Sequence, residues 1–136
     1  MANILLVDDE PLVVETLSNA MASQGHRVVT AANGNDGMEK FVREKFDLVI
    51  TDIIMPDKEG IEFMLEMRRH SPEIKIVAIS GGGRTTGLEF LTMATRLGAT
   101  ASIAKPIRLA EFRALLDKYL GENAAPAGSS GRVRMP

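Results

Sequence analysis

Residues 3–9 read NILLVDD and residues 46–52 read FDLVITD, and each stretch runs from apolar residues into an aspartate. Short unbroken apolar runs of this kind are typical of strands that are covered on both faces, as in a parallel sheet. A strand with one solvent-exposed face would alternate apolar and polar residues instead. The two stretches therefore predict parallel strands that end in carboxylates.

Similar apolar runs alternate with amphipathic stretches along the rest of the chain. The patterns predict strands over 3–7, 26–31, 46–51, 74–79 and 101–104, and helices over 12–24, 35–45, 60–70, 88–97 and 109–120. Val42 and Leu65 are among the apolar residues predicted to face the core. Five strand–helix units in a row predict an α/β fold, a doubly wound five-stranded parallel sheet with helices on both faces.

Composition restricts the class of protein. The chain has 136 residues, 45% of them apolar and 25% charged, which fits one globular domain. Its net charge is −2 and it has no lysine- or arginine-rich run, which argues against direct nucleic acid binding. It has no cysteine, so disulfides and thiolate metal sites are excluded. The sequence contains no run of about 18 apolar residues, so it does not predict a membrane span.

The carboxyl-terminal residues differ in composition from the rest. Residues 121–136, GENAAPAGSSGRVRMP, show no periodicity and are rich in alanine, glycine, serine and proline. Such a composition is typical of flexible segments. The sequence therefore predicts one domain over 1–120 and a flexible tail over 121–136.

Polar side chains suited to metal and phosphate chemistry follow four of the predicted strands. They are Asp8 and Asp9 after the first strand, Asp52 after the third, Ser80 after the fourth and Lys105 after the fifth. Because function in doubly wound sheets gathers at the carboxyl ends of the strands, we expect them to converge. Clustered carboxylates repel one another, and an all-oxygen set of ligands favours Mg²⁺. A carboxylate beside such a cation can attack phosphorus, with a lysine and a hydroxyl to receive the phosphoryl oxygens.

Taken singly, each of these residues has an ordinary structural explanation. Asp8 and Asp9 suit the start of a helix before Pro11, and Asp52 is a plausible strand-end acid. Ser80 alone is a common loop residue, and Lys105 alone a common surface charge. Their occurrence together, at the ends of four strands on one edge, is what indicates a site.

Three alternatives were weighed against this interpretation. Gly82 and Gly87 have the spacing of a P-loop, but the lysine and hydroxyl residue that must follow are absent. A phosphatase or mutase of the haloacid dehalogenase class would carry its nucleophile on the first strand in a D-x-D arrangement, where this chain has Asp8-Asp9-Glu10. A structural domain that is never phosphorylated would not require the intact set of site residues.

The stretches VDDEP (7–11), TDIIMPDKEG (51–60), AISG (78–81) and LGATASIAKP (97–106) resemble the motifs of bacterial response-regulator receiver domains. The resemblance covers roughly residues 3–120 and implies the flavodoxin-like receiver fold. It implies that Asp52 is the phosphoacceptor, and that Asp8 and Asp9 position Mg²⁺, with Asp9 favoured as the direct ligand. The backbone carbonyl of Ile54 would be a further ligand.

The same resemblance extends to the switch residues and to the turn after the phosphoacceptor. Ser80 matches the switch hydroxyl, and Lys105 matches the lysine that pairs with the phosphoryl group. The Lys105–Pro106 bond is often cis in the family. Met55-Pro56 and Gly60 match the turn that follows the phosphorylated residue.

The resemblance implies a phosphorylation-dependent signalling switch of a two-component system or phosphorelay, either a single-domain response regulator or the amino-terminal part of a longer regulator. The expected donor is a sensor histidine kinase or a phosphotransfer protein, and the expected output is binding to a downstream protein target. We expect a cytoplasmic protein that catalyses only its own phosphoryl transfer and slow self-dephosphorylation. Neither direct nucleic acid binding nor membrane attachment is expected.

Two departures from the family pattern affect how phosphorylation would change the conformation of the domain. Ser102 stands where the family usually has an aromatic residue, so no large ring can rotate at this position when the domain is phosphorylated. Gly81-Gly82-Gly83 follow Ser80 directly, as either a longer connection or a loop that phosphorylation orders. If phosphorylation orders this loop, hydrogen exchange should change most over residues 80–92. Leu88 and Leu91 are predicted to lie on an exposed helix face.

Overall fold

The computed structural model describes residues 2–53, 60–80, 96 and 98–124, without the side chains of Ile61, Ser80 and residues 122–124. The strands are β1 Asn3–Val7, β2 Arg27–Ala31, β3 Leu48–Asp52, β4 Lys75–Ser80 and β5 Ala101–Ala104. The helices are α1 Pro11–Ser23, α2 Gly34–Arg43, α3 Gly60–His70 and α4 Leu109–Ala124. The helix predicted over 88–97 lies outside the described residues, except for Arg96.

The five strands form one parallel sheet in the order β2-β1-β3-β4-β5. The predicted fold class is therefore confirmed, and β1, β3, β4 and β5 are neighbours. The register pairs Val7 with Thr51, Asp52 with Ile79, and Ser80 with Ala104. The polar residues that follow these strands are consequently brought to one edge of the sheet.

Apolar side chains cover the sheet on both faces, as the unbroken runs predicted. Leu5 and Val7 of β1 point to a core that includes Phe63 and Met67 of α3. Ile4 and Leu6 point to a second core, formed mainly with α1 and α4. Strands buried on both faces hold their ends firmly, because a shift along the strand would move side chains out of two cores at once.

Each of two helices exposes one apolar residue that was predicted to face the core. Val42 is 51% exposed and Leu65 is also exposed, whereas the residues that precede them, Phe41 and Met64, are buried. Neighbouring residues on a helix lie about 100° apart, so Val42 and Leu65 turn to solvent when the residue before each of them faces the core. The sequence pattern did not distinguish between the two placements, because each of these helices has apolar residues at adjacent positions.

One predicted helix end is confirmed and another is wrong. Gly25 follows α1 with a φ of 87° and donates its N–H to the carbonyl of Ala22, as expected of a glycine that ends a helix. The predicted end at Leu120 is wrong, because α4 continues through Gly121 to Ala124. A glycine inside an exposed helix costs only about 1 kcal/mol, so Gly121 alone does not end α4. Residues 121–124 of the predicted tail are helical, and residues 125–136 lie outside the described chain.

Arg68 connects the end of α3 to the segments that lead into β4 and β5. Its guanidinium donates to the carbonyl of Pro72 at 3.0 Å, to that of Ile74, and to that of Gly98 at 2.5 Å. Burial of the guanidinium lowers the pKa of Arg68 from its ordinary value. These bonds fix where β5 begins, and therefore where Lys105 emerges at its other end.

No helix within the described ranges has both the length and the apolar composition needed to cross a membrane.

Candidate functional site

Two buried carboxylates stand side by side at the carboxyl ends of β1 and β3. Asp8 follows Val7, and Asp52 is the last residue of β3, one position beyond the partner of Val7 in the register. Asp8 is 1% exposed and Asp52 is 3% exposed. Ionised carboxylates are rarely buried without compensation, so this pair points to a functional arrangement and not to an accident of the surface.

Lys105 supplies part of that compensation. It follows β5, and its side chain is 12% exposed. Its Nζ lies 3.2 Å from Oδ2 of Asp8 and 3.3 Å from Oδ2 of Asp52, and it also contacts Oε1 of Glu10. The bond between Lys105 and Pro106 is cis, as the resemblance implied.

Glu10 belongs to this cluster, and the sequence interpretation missed it. Carboxylate oxygens of Asp8, Glu10 and Asp52 lie within 4.8 Å of one another. The N–H of Glu10 also donates to Oδ1 of Asp8 at 2.9 Å. The available signal was the third acid in the run Asp8-Asp9-Glu10.

Asp9 occupies a different position from its neighbours. Its side chain is exposed, and it is not one of the three clustered carboxylates. It does line a cavity shared with Asp8, Pro11 and Lys40 beside the cluster. Its assignment as the direct Mg²⁺ ligand stays a prediction.

The charges in the cluster shift the proton affinities of its members. Burial raises the pKa of Asp8 above its ordinary value, and the hydrogen bond from Glu10 and the charge of Lys105 oppose that rise only in part. Burial would by itself lower the pKa of Lys105, but the carboxylates of Glu10, Asp52 and Asp8 outweigh it and raise the pKa above its ordinary value. Lys105 is therefore a permanent cation, and three carboxylates share it.

The donor set suits a small divalent cation. Oδ2 of Asp8 is buried and accepts no hydrogen bond in the described part of the chain, although Lys105 Nζ lies at an ion-pair distance from it. Three carboxylates against one ammonium leave an excess of negative charge, and hard oxygen donors favour Mg²⁺. The residues present thus fit the ion, which the clustered carboxylates of Asp8, Glu10 and Asp52 could hold, and the part of Asp9 stays a prediction. The carbonyl of Ile54, the other predicted ligand, lies outside the described residues.

Asp8→Asn is expected to stabilise the metal-free chain at pH 7 by on the order of 1 kcal/mol. A carboxyl whose pKa is raised by folding binds its proton more tightly in the folded state, so ionised Asp8 weakens the fold at neutral pH. The gain should vanish as the pH falls below the pKa of the unfolded carboxyl. Urea denaturation with a chelator present, at several pH values, measures it.

The matched control for that experiment is Asp9→Asn. This neighbouring side chain is exposed, so its change should stay within about 0.5 kcal/mol. If Asp8→Asn instead lowers the free energy of unfolding at pH 7, the contact with Lys105 outweighs the burial of the charge, and the site is not electrostatically strained.

Gly60 packs directly against the backbone at the end of β3. A Cβ at position 60 would lie 2.2 Å from Cα of Ile53 and 2.3 Å from the carbonyl oxygen of Asp52. The N–H of Gly60 donates to the carbonyl of Ile53 at 3.1 Å. The predicted turn residues Met55 and Pro56 lie outside the described residues. The backbone of residue 60 thus supports the backbone of the candidate phosphoacceptor directly.

The backbone also places the remaining predicted residues. Ser80 is the last residue of β4, directly after Ile79, the register partner of Asp52. Its side chain is not described. Ser102 is half-buried within β5 and pairs with Ala78. Residues 81–95, which include Gly81-Gly82-Gly83, Leu88 and Leu91, lie outside the described residues.

A family model, the response regulator receiver domain, matches residues 4–117. The chain belongs to this family. It is 30% identical to sporulation initiation phosphotransferase F of Bacillus subtilis over 117 residues. The aligned region covers 86% of this chain and 92% of that protein. A receiver domain protein (CheY-like) from Methanospirillum hungatei superimposes with a TM-score of 0.81 at 28% identity, over 90% of this chain and 95% of that one.

Receiver domains are the phosphorylation-dependent switches of two-component signalling, and this chain is one of them. Many relatives carry further domains. The chain is 32% identical to transcriptional regulatory protein GlrR of Escherichia coli, over 93% of this chain but 28% of that protein. It spans about a quarter to a half of the length of the first curated relatives that it matches.

Proposed function

We propose that this receiver domain accepts its phosphoryl group on Asp52. The observation that carries the proposal is the position of that carboxylate, at the end of β3, beside Asp8 and 3.3 Å from Nζ of Lys105. An oxygen of Asp52 forms a bond to phosphorus while the bond from phosphorus to the donor breaks, and the donor leaves with the electron pair. Water later attacks the acyl phosphate and restores the carboxylate, so the chain turns over only its own modification.

The other residues of the site have separate roles in this scheme. Lys105 offers its charge to the phosphoryl oxygens, and its contact with Asp52 holds it beside the reacting carboxylate. Ser80, at the end of the adjacent strand, would donate its hydroxyl to the same group once it is attached. Bound Mg²⁺ would shield the negative charge of the carboxylate and the phosphoryl group from each other.

The test is to find which aspartate carries the phosphoryl group. The whole chain is incubated with acetyl phosphate and Mg²⁺, the acyl phosphate is reduced with borohydride, and the modified residue is located by peptide mass spectrometry. Modification at Asp52 alone supports the proposal. Modification at Asp8 would overturn it, because a nucleophile on the first strand is the arrangement of the haloacid dehalogenase phosphatases.

Asp9→Ala is expected to weaken Mg²⁺ binding by about 10- to 100-fold, and Asp8→Ala by less. The physical reason is that Asp8 already shares the charge of Lys105, whereas the exposed carboxylate of Asp9 has its charge available to an incoming ion. Calorimetric titration of Mg²⁺ into each variant measures the order. Equal losses would mean that both carboxylates contact the ion in the same way.

The partners follow from the role of a receiver domain in signalling. We propose that the donor is the phosphohistidine of a sensor histidine kinase or a phosphotransfer protein, in the cytoplasm, and that a downstream protein reads the phosphorylated form. The high mutual coverage with sporulation initiation phosphotransferase F supports a protein partner as the donor. We place the end of the domain at the end of α4.

A further inference from the structure

Glu10 makes a contact that its position in the sequence does not predict. It is the residue at the amino-terminal cap of α1, but its side chain makes no capping hydrogen bond. A capping side chain satisfies the first N–H groups of its own helix. The carboxylate of Glu10 instead reaches Nζ of Lys105, which lies 95 positions further along the chain.

The geometry of Lys105 makes this contact consequential. An ammonium group has three N–H donors, and three carboxylates, those of Asp8, Asp52 and Glu10, surround this one. The ammonium of Lys105 already donates to Glu10 and Asp52, and the carboxylate of Asp8 lies 3.2 Å from it, before any phosphoryl group arrives. A phosphoryl group on Asp52 must therefore compete with these carboxylates for Lys105.

Glu10 is the carboxylate that can leave. Asp8 and Asp52 are almost fully buried and are fixed by the ends of their strands, whereas the side chain of Glu10 is 57% exposed. Moving Glu10 into water leaves no buried charge unpaired, which moving either aspartate would do. Glu10 and Lys105 also line a cavity together with Leu12, Pro106 and Ile107, so the pair borders space into which the Glu10 side chain can move.

We propose that Glu10 is a positioning residue that occupies Lys105 in the unphosphorylated domain and restrains phosphorylation. This inference rests on the proposed function of Asp52. Glu10 and the phosphoryl group compete for the same ammonium, so the strength of the Glu10–Lys105 pair sets how readily the domain is loaded. The exchange moves one carboxylate into water and one phosphoryl oxygen onto Lys105.

The test compares Glu10→Gln with the wild-type chain, using acetyl phosphate and Mg²⁺. Glutamine keeps the length of the side chain but loses the charge that holds Lys105, and the N–H of residue 10 still donates to Asp8. The rate of phosphorylation of Asp52 is expected to rise about twofold to fivefold, the range expected for the loss of a partly exposed ion pair. Affinity for beryllofluoride, a stand-in for the phosphoryl group, should rise in the same proportion.

The matched control is Glu15→Gln, the same change of charge on an exposed residue of the same helix. If both variants accelerate equally, general repulsion of the anionic donor explains the effect and the proposal fails. An unchanged or lower rate for Glu10→Gln also overturns it, and a tenfold loss of Mg²⁺ affinity would make Glu10 a metal ligand instead. A wild-type chain that is not phosphorylated on Asp52 would refute the proposed function itself, which separates the two failures.

Discussion

Replacing Asp52 by asparagine is expected to abolish phosphorylation of this domain by acetyl phosphate. The amide has the shape of the carboxylate but lacks the negative oxygen that attacks phosphorus, so the effect should be a complete loss and not a reduced rate. The fold should survive, because Asp52 is buried in a cluster where negative charge is in excess. Loss of one charge there relieves repulsion. Intact-mass spectrometry after incubation with donor and Mg²⁺ measures the result.

Asp117→Asn is the control for that experiment. Asp117 is an exposed residue of α4, so its removal should leave phosphorylation unchanged. Circular dichroism should show that both variants are folded. Residual phosphorylation of Asp52→Asn at the wild-type rate would mean that another side chain is the acceptor, and the peptide map would identify it.

Gly60→Ala is expected to reduce the free energy of unfolding by about 3 kcal/mol or more. The added methyl group would lie 2.2 Å from Cα of Ile53 and 2.3 Å from the carbonyl oxygen of Asp52. Both of these are backbone atoms, so no side-chain rotation can relieve the overlap. The end of β3 or the start of α3 must move, and each is packed in the core through neighbours such as Phe63.

The same substitution at Gly121 is a stringent control. Gly121 lies in α4, and a Cβ there would meet no atom within 4 Å. Gly121→Ala is therefore expected to stabilise the domain by about 0.5 to 1 kcal/mol, the difference in helix propensity between the two residues. Urea denaturation of both variants measures the two changes in the free energy of unfolding, which are expected to have opposite signs. Equal effects at the two positions would mean that the backbone at Asp52 yields easily.

Gly60→Ala should also slow phosphorylation in the fraction that remains folded. The methyl group pushes on the carbonyl of Asp52 itself, so relief of the overlap displaces the nucleophile from Lys105 and Asp8. A displacement of a fraction of an ångström is enough to reduce a reaction that depends on positioning. A destabilised variant with a wild-type rate would show that the turn supports the fold but not the chemistry.

The sequence by itself determined the fold class and most of the site. Unbroken apolar runs predicted strands buried on both faces, and five of them in alternation with helices left few topologies. Because parallel strands end on one edge, Asp8, Asp52 and Lys105 could be placed together without coordinates. This inference needs only the order of the strands and helices, and the local periodicity of apolar residues predicts that order.

Only the tertiary structure decided the contacts that depend on side-chain direction. The pairing of Glu10 with Lys105 joins residues 95 positions apart, and no local pattern distinguishes it from an ordinary acid at a helix start. The exposure of Val42 and the bonds from Arg68 to the carbonyl of Gly98 were likewise fixed by packing between elements. Local propensity sets which elements form, but the orientation of a side chain at their boundaries follows from the three-dimensional balance of burial and charge.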